Sequence, residues 1–508
     1  NSSQFDYYGS INVSYTKSFG RHLVQGIVGG ELKETNSESD AYKTVGFLDD
    51  PLGYPSYAVQ FDSYTGPSGS SSLSRSAGMF ANFNYSWDNR YLIDLTGRID
   101  GSSNFASKQR SAPFWSAGVR WNIYNEKFMK THGWFENLAV RANIGTVGNQ
   151  NFQLSQIMTL YNFLKMYDGV MGAEIMSIAN PELKWQTTLN RNIGLEFSLL
   201  QGLVNLDFNY YSNITKNNLT DIAILPSTGF STYKANMGKV RNQGYEFSLS
   251  ITPIKKNGWI VNAFVNGAHN KNKLLNISDA LRDYNEVIKE NQTAHLNYAG
   301  YTQLERIFLF EEGQSLNSIF AVRSMGIDPG TGQEIFVTAD GVQTFQWNAA
   351  DQVVVGNTEP TLKGYFGLNV DYKRWSFGAN FQYSFGADRY NKTLYEKIEG
   401  GNFAQNADRR ALTQRWTKPG DVAKYRGYGN TSQLKPTSRF VQKDDFLSMT
   451  SARLSYTLNA NDLQALGISL LKFTLSTNDL FYVSTIKQER GLDYPFARTF
   501  NFGLSVSF

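Results

Sequence analysis

The sequence predicts an all-β protein, a transmembrane antiparallel β-barrel, and three observations carry that prediction. Apolar and polar residues alternate in one segment after another along the whole chain. Side chains alternate faces along a strand, so each segment has one apolar and one polar face. The connections between segments alternate short and long, like the periplasmic turns and extracellular loops of outer-membrane barrels. Aromatics gather at segment ends, at Tyr85, Trp87, Tyr91, Trp115, Trp121, Tyr372, Trp375 and Tyr456, where interface girdles stand.

About fifteen segments of about 10–13 residues, the length of a tilted membrane strand, start near Phe5, His22, Ala77, Arg90, Pro113, Phe135, Thr187, Leu203, Arg241, Gly258, Leu362, Trp375, Asp445, Ser469 and Arg498. In "AGMFANFNYSW", Met79, Ala81, Phe83, Tyr85 and Trp87 share a face. In "RYLIDLTGRID", Tyr91, Ile93, Leu95 and Ile99 oppose Asp94, Thr96, Arg98 and Asp100. "WSFGANFQYSFG" sets Trp375, Phe377, Ala379, Phe381, Tyr383 and Phe385 against Asn380 and Gln382. The final "RTFNFGLSVSF" alternates from Phe500 to Phe508. Short connections are expected at Ser18–Arg21, Asp88–Asn89, Gln201–Gly202, Pro253–Asn257 and Lys373–Arg374. Long ones are expected at Thr35–Ser76, Asn149–Gln186, Thr215–Val240, Lys271–Thr361 and Ala387–Asp444.

A soluble β-sandwich also has alternating strands, but its turns are similar in length at both ends. Here the polar face carries Arg98, Asp100, Arg120, Arg141, Glu196, Asp207, Glu246 and Arg453. A packed sandwich core would hold those charges only at a large desolvation cost.

The bulk numbers agree. The 508 residues include 29 Tyr, 35 Phe and 44 Gly, no Cys, and a net charge of +4. Without Cys, thiol chemistry and Cys-based metal sites are excluded. Near-neutral charge gives no general polyanion-binding surface, so nucleic acid is not an expected partner. No apolar run of ~18 residues allows a helical span. The negative mean hydropathy fits membrane strands, in which only every second residue is apolar. The strand pattern begins at once, and counting the alternating turns back from the last strand gives an odd number. Single-chain bacterial barrels have even numbers. The expectation is therefore that residues 1–508 form a C-terminal portion of a barrel, with the first strands and any plug domain absent from this chain.

Eight stretches, in order, resemble the SusC/RagA family of TonB-dependent outer-membrane transporters. "YSWDNRYLIDLTGRIDGSSNFA" resembles a hairpin ending in Arg-x-Asp-Gly-Ser-Ser-x-Phe, here Arg98 to Phe105. "APFWSAGVRWNIYNEKFMK" resembles the next strand and turn, and "LAVRANIGTVGNQ" the stretch from Arg141 to Gln150. "NPELKWQTTLNRNIGLEFSLLQGLVNLDFNYYSNITKNNL", "NMGKVRNQGYEFSL", "SMGIDPGTGQEIF", "VVGNTEPTLKGYFGLNVDYK" and "RGLDYPFARTFNFGLSVSF" follow. The resemblance implies about 15 C-terminal strands of a ~22-stranded barrel, whose lumen a plug fills. It also implies TonB-dependent import of a large nutrient, oligosaccharide or oligopeptide, across the outer membrane. The implied partners are a SusD-like surface lipoprotein lid, TonB acting through the plug, the N-terminal plug and barrel portion, and outer-membrane lipid. A SusC-like scaffold in an outer-membrane assembly or secretion complex is the alternative.

No catalytic or metal constellation stands out and no cofactor is implied. His22, His132, His269 and His295 are scattered, without ligand spacing. "GIDPGTGQEI" lacks the Asp-x-Asp-x-Asp-Gly spacing of a calcium loop and reads as a tight turn. "DGSS" after Arg98 reads as a loop fixed by side-chain to backbone bonds. Lumen-facing candidates for a polar solute are Asp94, Arg98, Glu196, Glu246, Asn380 and Gln382. Loop aromatics that would grip a ligand or form the dry centre of a partner interface are Tyr54, Tyr57, Tyr64, Tyr161 and Trp347. Phe508 is the expected terminal signal for barrel assembly.

Overall fold

The computed structural model describes residues 2–47, 54, 57–62, 68–105, 110–129, 134–149, 159–167, 170–177, 180, 183–223, 230, 232–236, 238–293, 309–401, 408–428, 434–459, 463, 467–487 and 498–508. Its main element is a 16-stranded antiparallel sheet. Fifteen of the strands are the fifteen segments expected from alternation. They are β1 Ser2–Phe19, β2 His22–Ala41, β3 Ser68–Trp87, β4 Tyr91–Ser102, β5 Ser111–Asn122, β6 Phe135–Asn149, β7 Gln186–Leu199, β8 Val204–Lys216, β9 Gly238–Lys256, β10 Trp259–Ile277, β11 Leu362–Tyr372, β12 Trp375–Phe385, β13 Phe446–Asn459, β14 Leu470–Asn478 and β15 Phe500–Ser507. Each lies beside its neighbour in chain order. The sixteenth, Tyr482–Ser484, pairs with β13. The chain divides into two compact units, residues 1–120, 143–191 and 215–238, and residues 121–142, 192–214 and 239–508.

Tight turns hold this up-and-down order. Between β3 and β4, Asp88 and Asn89 take φ of 54° and 52°, and the Arg90 N–H donates to the Trp87 carbonyl at 2.8 Å. Two consecutive positive φ values match the twist of the flanking strands. The turn expected at Pro253–Asn257 is instead Asn257–Gly258, with φ of 56° and 80°. Asn-Gly is the dipeptide that such a turn favours, so β9 continues through Pro253 to Lys256.

Strand length departs from expectation. β2 and β3 each run 20 residues, roughly 65 Å at 3.3 Å per residue. A tilted membrane crossing needs only about 9–11 residues. Much of the expected loop Thr35–Ser76 is ladder, with Thr35 opposite Ser74 and Ala41 opposite Ser68. These extensions, "TNSESDA" and "SGSSSLS", keep backbone pairing while losing apolar alternation. The period-2 signal therefore stops where the ladder does not.

The loops expected at Lys271–Thr361 and Ala387–Asp444 form a folded lobe in the second unit. Ser318–Ile327, Glu334–Val337, Gln343–Thr344 and Gln352–Asn357 make a four-stranded sheet, and Asp388–Tyr390 pairs with Val441–Lys443. Ile319, Phe320, Ala321, Val322, Ile398 and Phe440 are buried. Phe440 packs on Tyr390 and Tyr395, with ring centroids at 5.8 and 5.2 Å. Two other expected loops also carry hairpins, Leu160–Tyr167 with Val170–Ser177 and Leu219–Ala223 with Thr232–Asn236.

Phe440→Ala should destabilise the lobe by about 3–5 kcal/mol through lost burial and a residual cavity. Hydrogen exchange should then quicken at residues 318–322 and stay unchanged in β1–β4.

Candidate functional site

The sheet is amphipathic in the sense opposite to a soluble protein. In β4, Tyr91, Ile93, Leu95 and Ile99 are exposed, while Asp94, Thr96, Arg98 and Asp100 are half-buried. Ile11, Val28, Met79 and Ile99 are 75%, 64%, 74% and 59% exposed. Apolar side chains thus face the surroundings and polar ones face each other, as a membrane strand requires.

The polar face of the first unit is organised around Arg98. Its Nε donates to both Asp100 carboxylate oxygens at 2.6 Å, and its Nη2 donates to Glu31. Asp94 accepts from Asn82 at 3.3 Å, and Asn82 also donates to Thr96 at 2.8 Å. The residues after Arg98 fix a loop, as "DGSS" suggested. The Arg75 N–H donates to Ser103 Oγ at 2.8 Å, and Ser74 Oγ donates to Asn104 Oδ1 at 3.1 Å. Phe105 ends the stretch buried against Trp185, stacked at 4.2 Å and 11°.

In the second unit, Arg141 is the hub. It donates to Glu196, to Asp207 Oδ2 at 3.3 Å and to Asn209 Oδ1 at 2.7 Å. A side chain on Gly194 would bring its Cβ to 2.6 Å from Arg141 Nε, so glycine there makes room for the guanidinium. Asp207 and Asn209 also border a concavity of about 560 Å³ with Glu246, Asn266, Lys363, Tyr365 and Gln382. Two candidates, Glu246 and Gln382, therefore share one site. Glu196 is joined to its rim through Arg141. Asn380, two residues from Gln382, donates to Ser451 Oγ at 3.0 Å. Lys363 and Tyr365 were missed. The polar parity of "LKGYFGLNVDY" places them on the same face, but no local signal marks them as a site.

The loop aromatics fall into three cases. Tyr54 and Tyr57 are exposed and meet edge to face at 6.1 Å. Tyr161 is exposed. Trp347 is engaged within the chain, its indole N–H donating to the Pro436 carbonyl at 3.2 Å and Lys435 standing 5.1 Å over its ring. Tyr64 lies outside the described residues. Phe508 follows β15 and is 90% exposed.

The lobe is fastened by a buried charge network that sequence reasoning did not find. Glu399 accepts from Arg426 Nε and Arg439 Nη2, both at 2.8 Å. Arg439 also donates to Glu334 at 2.9 and 3.1 Å. Burial opposes the Arg439 cation, but Glu334 and Glu399 outweigh it and hold its pKa above the ordinary value. Arg415 donates to the carbonyls of Ile398, Glu399, Ala411 and Arg426 at 2.8–3.1 Å. Burial there lowers its pKa.

The stretch Gly326–Ile335 is a turn. Asp328 Oδ2 accepts from the Thr331 hydroxyl at 2.6 Å and the Thr331 N–H at 2.9 Å. Gly332 takes φ of 73° against the Trp416 ring, and Trp416 Nε1 donates to the Pro329 carbonyl at 2.9 Å. Among the described residues, no cluster of three or more His, Asp or Glu could hold a metal ion.

The Thr331 hydroxyl, chiefly, and the Gly330 and Thr331 N–H groups hold the Asp328 carboxyl below its usual 3.8. A depressed pKa stabilises the turn above the unfolded-state value, and that contribution disappears as pH falls through the folded-state value. Protection of the Thr331 amide should therefore exceed that of Asp328→Asn at pH 5, and the difference should vanish in stronger acid.

Comparison with known proteins adds three findings. Residues 1–302 match the β-barrel model described as TonB-dependent receptor-like. TonB-dependent receptor P39 of Formosa agariphila is 26% identical over 517 residues, covering 94% of this chain and 49% of its own length. TonB-dependent receptor SusC of Bacteroides thetaiotaomicron is 26% identical over 429 residues, covering 80% of this chain and 40% of its own. Among solved structures, the RagAB peptide importer in its closed-closed state aligns over 100% of this chain and 56% of that one. Its TM-score is 0.84 at 24% identity, a likeness of fold. The chain spans about half the length of the curated relatives it matches.

Proposed function

The chain belongs to the TonB-dependent receptor-like β-barrel family, and from that premise we propose that it forms the wall and outer loops of a SusC-like importer in the outer membrane. A large nutrient, oligosaccharide or oligopeptide, passes along the polar face. A SusD-like surface lipoprotein covers the long-loop side. TonB acts through a plug domain, as part of the whole receptor. The observation that carries this reading is the inside-out sheet. Its exposed face is apolar, while its polar face holds Arg98 and Arg141 in carboxylate cages. A structural wall facing only lipid has no need of such a face, whereas one bordering water and a passing solute does. The lobe, built from segments within 309–361 and 387–444, offers a firm outer surface, because a buried core and ion network order it.

The test is uptake in cells making the full-length receptor. A protonophore should abolish accumulation of the nutrient, and affinity purification should recover a lid lipoprotein. Uptake untouched by the protonophore, or recovery of a barrel-assembly or secretion core instead of a lid, would sink the import reading.

A further inference from the structure

The concavity beside Arg141 carries two charges that the chain leaves unsatisfied. Glu246 on β9 and Lys363 on β11 both border it, and neither makes a hydrogen bond or ion pair with any described residue. Arg141 nearby is fully engaged by Glu196, Asp207 and Asn209. β10 lies between β9 and β11, so the two backbones are two strand spacings apart, about 9.5 Å. Ala268 stands directly opposite Lys363 on β10, and its methyl group leaves the floor between the charges low.

We propose that this concavity is a station for a short peptide with free termini, its ammonium on Glu246 and its carboxylate on Lys363. The inference rests on the import reading and names a substrate class for one place on the wall. Three arguments carry it. A chain of three residues spans about 10 Å, comparable with the two strand spacings between β9 and β11. The rest of the lining suits a peptide backbone. Asn266 Oδ1 already accepts the Tyr365 N–H at 2.9 Å, leaving its NH2 to donate, and Gln382 offers both a donor and an acceptor. The Tyr365 ring, 46% exposed, gives an apolar surface for a side chain. A neutral sugar meets both charges with hydroxyl groups alone, whereas a zwitterion sets an opposite charge against each.

The experiment uses the full-length receptor purified in detergent. Saturation-transfer NMR, which reads weak affinities, follows trialanine, its N-acetylated form, its C-amidated form and maltotriose. Trialanine should bind about tenfold more tightly than either blocked form, the expected worth of one charge-assisted contact. Glu246→Gln should weaken trialanine about tenfold and leave the N-acetylated form unchanged. Lys363→Gln should do the same with respect to the C-amidated form. Equal binding of free and blocked peptides, an equal loss for both in each variant, or binding of maltotriose but not trialanine would each overturn the station. None of those results touches energised uptake, which the protonophore experiment judges separately.

Discussion

The structure depends on one constraint, the pairing of every backbone N–H and C=O on a sheet whose outer face is apolar. Hydrocarbon offers no hydrogen-bond partner, so a spanning strand must find both neighbours in the ladder. From β2 to β14 the strictly sequential antiparallel order meets that demand, with short hairpins where the turn chemistry allows two positive φ values, as at Asp88–Asn89 and Asn257–Gly258. Once the ladder is fixed, parity assigns every side chain. Ile93 and Leu95 go outward, Asp94 and Thr96 go inward, and the inward charges must then be met by other protein groups or by water. Arg98 with Glu31 and Asp100, and Arg141 with Glu196 and Asp207, are the result.

The same reasoning explains the stretch from Arg98 to Phe105 as one device. Arg98 and Asp100 satisfy each other two residues apart on one face. Ser103 and Asn104 then tie the chain back to Ser74 and Arg75, and Phe105 closes it against Trp185. Trp185 is itself placed by a loop whose ends are pinned, since its carbonyl accepts from Asn217 at 3.3 Å and the adjacent Lys184 N–H donates to Asn236 at 3.1 Å. A loop beyond a membrane strand is therefore held by stacking and side-chain caps rather than by a large core.

The lobe follows a different rule. Its hydrogen bonds and ion pairs join residues far apart in sequence. Glu334 and Arg439 are 105 positions apart, and Trp416 reaches back 87 positions to the Pro329 carbonyl. No local period announces such contacts, so a region with weak alternation reads as loop although it folds. Two readings lay within it. The Asp328 turn was legible because turn chemistry is local. The placing of Trp347 was not legible, because its indole N–H is bonded to the distant Pro436 carbonyl.

By itself the sequence determined where the fifteen long strands lie and which way each side chain faces, because alternation is a property of neighbours two apart. It also marked Glu246 and Gln382 as inward-facing. The tertiary structure alone decided how far strands such as β2 and β3 extend, since a polar ladder carries no alternation, and it alone folded the lobe. It also decided that Glu246 and Gln382 meet Lys363 and Tyr365 around one concavity. Those four side chains come from three strands, and their meeting depends on strand order and register, which no short stretch of sequence encodes.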